Sequence, residues 1–220
     1  IGVIVLFFCF RLKESLNVEN RLQGSIFSTF LTFGVIIKNR VFMSYVGIQS
    51  FLLGSMFAYI AASPFIFQSF YGLSAFVFSL CFGANGAALV IGANVGGKLP
   101  NRKSLAIGVL AFVVAALYTI AVLIIQPYWL FVEIGFFAML LLMGITFPAI
   151  SSLAMESERQ YAGSASALLG FAPFFLGGVV SPLVGIGNIF YSTALVILAC
   201  SVLALVIYWM VRHKIPNSAE

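Results

Sequence analysis

Residues 41–97 read VFMSYVGIQSFLLGSMFAYIAASPFIFQSFYGLSAFVFSLCFGANGAALVIGANVGG, a run without a single Asp, Glu, Lys, Arg or His. A helix needs about 20 apolar residues to cross the ~30 Å hydrocarbon core of a bilayer, so this run is long enough for two crossings. Ser63-Pro64 and Tyr71-Gly72 supply turn residues between them. Charge-free runs recur at 104–132, 134–155 and 160–211. These hold one, one and two further crossings, the last pair separated by Pro182, Gly185, Gly187 and Asn188. The predicted spans are 41–62, 74–93, 104–126, 129–152, 162–184 and 189–211. They define an all-α polytopic membrane protein with six transmembrane helices.

Composition agrees. The 220 residues are 62% hydrophobic and 8% charged, and Asp is absent, whereas soluble domains carry about 25% charged residues. Too little polar surface exists to coat a globule, which excludes a soluble enzyme, a nucleic-acid binder and a disordered tail. Cys9, Cys81 and Cys200 are far apart in apolar runs and suggest neither a disulfide framework nor a metal site. The only histidine, His213, lies between Arg212 and Lys214, so neither a zinc site nor a Ser/His intramembrane protease can be assembled. The glycines at 92–97 precede no Gly-Lys-Ser/Thr and follow a membrane helix, so they form no phosphate loop. No catalytic residue, metal or cofactor is expected.

Six crossings return the chain to its starting side, and the basic residues say which side that is. Arg11, Lys13, Arg21, Lys38 and Arg40 precede the first span, Lys98, Arg102 and Lys103 follow the second, Arg159 follows the fourth, and Arg212 and Lys214 follow the sixth. The opposite connections carry none. The positive-inside rule places the basic face and both ends of the six-helix unit in the cytoplasm. Tyr71, Tyr128 and Trp129 at one face, and Tyr161, Tyr208 and Trp209 at the other, stand where interfacial aromatics belong.

The expected organisation runs from the end of a truncated transmembrane helix (1–10) through a cytoplasmic linker (11–40) and the six-helix bundle (41–211) to a cytoplasmic tail (212–220). Ten helical residues reach only ~15 Å, half a bilayer. In the linker, Leu22, Ile26, Phe30, Phe33 and Ile37 recur at helical spacing, the pattern of an amphipathic helix lying along the interface. The third and sixth spans are nearly uniform in Ala, Val, Leu and Ile and should meet lipid on most sides. The other four carry polar or small residues and should face protein or water. Two peripheral helices at equivalent positions make a three-plus-three inverted repeat.

Several short motifs carry a more specific resemblance. Arg11-Leu12-Lys13-Glu14-Ser15-Leu16 is similar to the run that closes the sixth helix in many drug transporters. Ala62-Ser63-Pro64-Phe65-Ile66-Phe67 with Tyr71-Gly72-Leu73-Ser74, Phe147-Pro148-Ala149, and Ala162-Gly163-Ser164-Ala165-Ser166-Ala167-Leu168-Leu169-Gly170 extend the likeness over essentially the whole chain. Together they resemble the C-terminal half, helices seven to twelve, of the Bcr/CflA-type drug/proton antiporters of the major facilitator superfamily. The resemblance implies half of a major facilitator fold in a bacterial inner membrane, exporting small drug-like molecules by proton antiport and alternating access, with an N-terminal six-helix half as partner. One departure concerns Gly97-Lys98-Leu99-Pro100-Asn101-Arg102: family members can carry an acidic residue where Asn101 stands, and a Gly after the arginine, which is missing. The acidic residue that typically takes the coupling proton belongs to the first half of such transporters.

The residues themselves nominate a site. Glu133 is the only carboxylate inside a predicted span, and an intramembrane ionisable group is a functional hypothesis by default. It either takes a proton or a cationic drug, or reaches the headgroups from about four residues inside the boundary. Tyr45, Gln49, Leu52, Met56 and Tyr59 share one face of the first span, as a cavity lining or as a packing seam. Asn85, between Gly83 and Gly86, must face the bundle and meets a substrate or a neighbouring helix. Phe136, Phe137, Leu140, Met143, Gly144 and Phe147 continue inward from Glu133. In the fifth span Gly163, Gly170, Pro173, Gly177, Gly178 and Pro182 fit a gating helix as well as tight packing. Alternatives to a transporter half are a half-size homodimeric transporter or channel and a non-transporting membrane scaffold subunit, and composition leaves export and uptake equally open.

Overall fold

The computed structural model describes residues 7, 8 and 26–214. Among these, seven long helices follow one another: α1 (Ile26–Lys38), α2 (Arg40–Pro64), α3 (Ala75–Gly96), α4 (Asn101–Ile125), α5 (Trp129–Ser157), α6 (Ala162–Val184) and α7 (Ile189–Val211). Helices α2 to α7 are long and apolar enough to cross a membrane. The motif at 11–16 and all of the expected truncated helix but Phe7 and Phe8 lie outside the described residues.

Three helix starts, those of α2, α3 and α7, carry a side chain that serves free N–H groups of the first turn. Asn39 Oδ1 accepts from the backbone N–H of Val41 and Phe42 at 3.0 and 3.2 Å. Ser74 opens α3 through Val77, and Asn188 opens α7 through Phe190. Gln126 ends α4 in the left-handed region at φ 54°, just before Pro127. Ser63-Pro64, expected as a turn, is instead helical: α2 runs through it and continues as a π-helical turn over Phe65–Phe70. Proline cannot donate to the carbonyl of Ile60, and the Ser63 hydroxyl donates to it at 3.4 Å instead.

The packing of the six long helices has an internal two-fold form. Helix α2 packs on α6, α7 and α5; α5 packs on α3, α4 and α2; α4 packs on α7. Exchanging α2 with α5, α3 with α6 and α4 with α7 returns the same set of neighbours. The exchanged helices run in opposite directions, as an inverted three-plus-three repeat requires. Without a hydrophobic drive between helices in lipid, close approach depends on small residues. Gly92 and Gly96 lie against the α5 backbone at Leu141 and Ile145, and Gly144 lies against the Leu89 carbonyl in return.

Helices α2 and α5 are the most enclosed, whereas α3 and α6 have the broadest uncovered faces. The sequence singled out the third and sixth spans, α4 and α7, as peripheral; they are covered on one side by each other and by α5 and α2. Composition reports how apolar a helix is, and neighbours decide how much of it is covered. In α1, Ile36 is fully buried while Ile37 is exposed, and Tyr208 turns into the bundle while Trp209 stays outside under the Arg212 guanidinium, 3.5 Å from its ring.

Candidate substrate site

Three helices bring polar groups together in the half of the bundle away from the basic residues. On α3 one stripe faces inward: Cys81, Asn85, Ala88, Gly92 and Gly96. The glycines bring α3 onto α5, and the same register carries Asn85 to the α2–α3–α5 junction. There the Asn85 Nδ2 donates to the Tyr59 hydroxyl of α2 at 3.0 Å. Glu133 of α5 lies next to Asn85 without closing a bond of normal geometry, and within charge range of Tyr59 and Cys81. Its side chain is 7% exposed, turned into the bundle. Both its carboxylate oxygens, and Oδ1 of Asn85, have no hydrogen-bond partner among the described residues.

Aromatic rings wall this cluster. Phe136 lies 4.8 Å from the Tyr59 ring, and Phe67 packs edge-on to Phe136 at 6.2 Å. On the other side Phe82 stacks on Tyr59, centroids 5.9 Å apart and planes 20° from parallel. Beyond Phe82 is a cavity of about 400 Å³ lined by Ile60, Pro64, Phe78, Ser79, Phe82 and Gly83. A larger depression of about 590 Å³, between the end of α2 and the α6–α7 turn, contains none of the residues nominated from sequence.

The nominated stripe of α2 divides into two groups. Tyr59 belongs to the cluster just described. Tyr45 is fourteen residues earlier, about 21 Å along the axis, with its buried hydroxyl unpartnered among the described residues and Glu156 in charge range. Gln49 is half-buried with its Oε1 unpartnered among the described residues, and Met56 is half-buried between the two groups. Along α5, Phe136 and Met143 are buried and Phe137 half-buried. In α6, Pro173 and Gly177 are buried, with the Phe57 ring of α2 occupying the space where a Gly177 Cβ would stand. Gly163, Gly170, Gly178 and Pro182 lie on its uncovered face.

Sequence reasoning missed Phe82, Phe78, Phe67 and Cys81. Phe78 and Phe82 are one helical turn apart, which marks a shared face, but nothing in the spacing names Tyr59 as its neighbour. Asn101, at the place acidic in related loops, donates to the Ser152 hydroxyl of α5 at 2.9 Å, and Ser104 beside it donates to the Ile145 carbonyl at 2.6 Å. At the opposite face the Tyr71 hydroxyl donates to the Pro127 carbonyl at 2.8 Å, and burial pushes this phenol above its usual range. Among the described residues no group of His, Cys, Asp or Glu has the arrangement to hold a metal ion.

Residues 1–182 match the sequence model of the Major Facilitator Superfamily. The chain belongs to this superfamily. The superfamily is one of transporters, which are not enzymes. It is 37% identical over 190 residues to the MFS-type transporter YdgK of Bacillus subtilis, covering 84% of this chain and 47% of the relative. It is 26% identical over 222 aligned positions to a bicyclomycin resistance protein homolog of Haemophilus influenzae, covering 93% and 53%. The chain thus spans about half the length of these superfamily relatives.

Proposed function

We propose that this chain is the C-terminal half, helices seven to twelve, of a Bcr/CflA-type drug/proton antiporter that exports small amphipathic molecules across a bacterial inner membrane by alternating access. The observation that carries the reading is Glu133: a carboxylate buried in a membrane span, with no ion-pair partner among the described residues, beside Asn85 and Tyr59. A buried charge without a partner is costly, and such a group persists where it exchanges a proton or meets a cationic substrate. Two features support a two-half mechanism. The uncovered faces of α3 and α6 are related by the internal two-fold, and the relatives are about twice as long. On this reading the partner is an N-terminal six-helix half, the basic end faces the cytoplasm, and α6 is the helix that moves.

The test is export from energised inside-out vesicles holding the intact transporter. Ethidium should be moved at the expense of the proton gradient, and a protonophore should abolish the movement. Transport that survives the protonophore would remove the antiport mechanism.

A further inference from the structure

We infer that the cavity of about 590 Å³ at the end of the bundle away from the basic residues is a site for a lipid with a neutral, hydroxylated head group, a sugar or polyol carried on an apolar tail. It is separate from Glu133 and the α2–α3–α5 junction, none of whose residues line it.

Three pieces of chain build the cavity: the π-helical turn that follows α2, the residue that ends α4, and the turn between α6 and α7. Two of the lining residues hold left-handed backbone, Gly187 at φ 79° and Gln126 at φ 54°. Glycine adopts that conformation freely, whereas a Cβ makes it strained. Gln126 is the only described residue other than glycine to do so. Its side-chain amide forms no hydrogen bond among the described residues that would offset the strain.

The lining is polar but uncharged. The Ser69 hydroxyl, the Gln126 amide and Nδ2 of Asn188 border the cavity without a hydrogen bond among the described residues. Asn188 commits only its Oδ1, which accepts from the Phe190 N–H at 3.0 Å. Together these groups offer both donors and acceptors. Phe65 and Phe70, 58% and 53% exposed, add aromatic surface. The charged side chains of the described residues all lie at the opposite end of the bundle except Glu133, which is buried beside Asn85. An anionic head group at a membrane surface is recognised by Lys or Arg, and a cationic one by a carboxylate; the cavity has neither. A hydrocarbon alone would shut three polar groups away from water. A neutral head with several hydroxyls, and C–H surface to cover the rings, satisfies both kinds of lining, and the volume lies within the ~300–1,000 Å³ of small-molecule sites.

Depth in the bilayer supplies the tail. Tyr71, Tyr128 and Trp129 mark this end of the bundle as a membrane interface. Ile125, beside Gln126, and Ile186, between Gly185 and Gly187, are both exposed, so apolar surface continues outward from the cavity rim. A lipid whose head is seated in the cavity covers that surface with its chain, and a free sugar gains nothing from it.

The experiment places the intact transporter in phosphatidylcholine nanodiscs with a photoactivatable alkyl glucoside. Octyl glucoside, octyl sulfate, octyltrimethylammonium and glucose serve as competitors. Labelled peptides should include the π-helical turn or the α6–α7 turn, and octyl glucoside should compete about tenfold better than the other three. Gln126→Gly removes the amide and keeps the left-handed backbone. It should weaken octyl glucoside about three- to tenfold, the worth of one or two neutral hydrogen bonds, with the unfolding temperature unchanged or raised. Phe65→Leu, which stays apolar but loses the ring, should weaken it severalfold. Should Gln126→Gly fail to fold, Ser69→Ala, at an exposed hydroxyl, takes its place with a similar expected loss. Wild-type affinity in both the polar and the aromatic variant overturns the inference, as does labelling confined to other segments. Octyl sulfate or octyltrimethylammonium competing as well as octyl glucoside would overturn the neutral head group, and glucose doing so would overturn the lipid.

Discussion

Asn39 donates from Nδ2 to the Glu158 Oε1 at 2.6 Å, joining the residue before α2 to the residue after α5 across 119 positions of sequence. The same side chain caps α2 through its Oδ1, so one amide ties the start of α2 to the end of the helix related to it by the internal two-fold.

Replacing Asn39 separates these two tasks. Asn39→Ala loses both, and thermal unfolding in detergent should show a loss of about 2 to 3 kcal/mol, a cap plus a charge-assisted bond. Asn39→Asp keeps the cap but sets a carboxylate against Glu158; combining it with Glu158→Gln should recover most of the loss. If Asn39→Asp unfolds like the wild type, the bond has no structural weight.

The glycines of α3 make an internal control. A methyl at Gly92 would run into the Leu141 carbonyl, whereas one at Gly86 meets nothing. Gly92→Ala should therefore cost about 1 to 3 kcal/mol or more, and Gly86→Ala should stay within about 0.5 kcal/mol of the wild type. Comparable losses at the two positions would contradict the backbone contact between α3 and α5.

Gly177 and Phe57 should behave as a coupled pair. Gly177→Ala forces the Phe57 ring out of its place, and trimming that ring with Phe57→Ala makes room. The double variant should be more stable than the sum of the single losses by about 0.5 to 3 kcal/mol. Additive losses would mean that α6 shifts bodily to accept the methyl, and Gly170→Ala on the uncovered face should change stability little in either case.

Glu133→Gln discriminates a working carboxylate from a structural one. Neither oxygen closes a hydrogen bond of normal geometry among the described residues, so exchanging the carboxylate for a neutral amide removes none there. The unfolding temperature should hold or rise while proton-driven ethidium export falls at least tenfold. A destabilisation of about 1 kcal/mol or more would assign Glu133 a packing role instead.

Glu133 itself was legible in sequence, because a lone carboxylate in a charge-free run needs no neighbours to be conspicuous. Asn85 and Tyr59 were legible as polar groups that must face the bundle. That they meet each other was not, since the meeting depends on Gly92 and Gly96 bringing α3 onto the α5 backbone. Tyr45 and Tyr59 share a helical face, read as a cavity lining or a packing seam, with about 21 Å of rise between them.

Sequence by itself determined the number of spans and the confinement of the basic residues to one end. These are properties of single segments in a solvent that tolerates neither charge nor unpaired backbone. Only the tertiary structure decided which helices are enclosed, that Ser63-Pro64 lies within a helix instead of breaking it, and which rings close over Glu133. Those outcomes follow from contacts between segments far apart in the chain, where a missing side chain on one helix sets the position of a polar group on another.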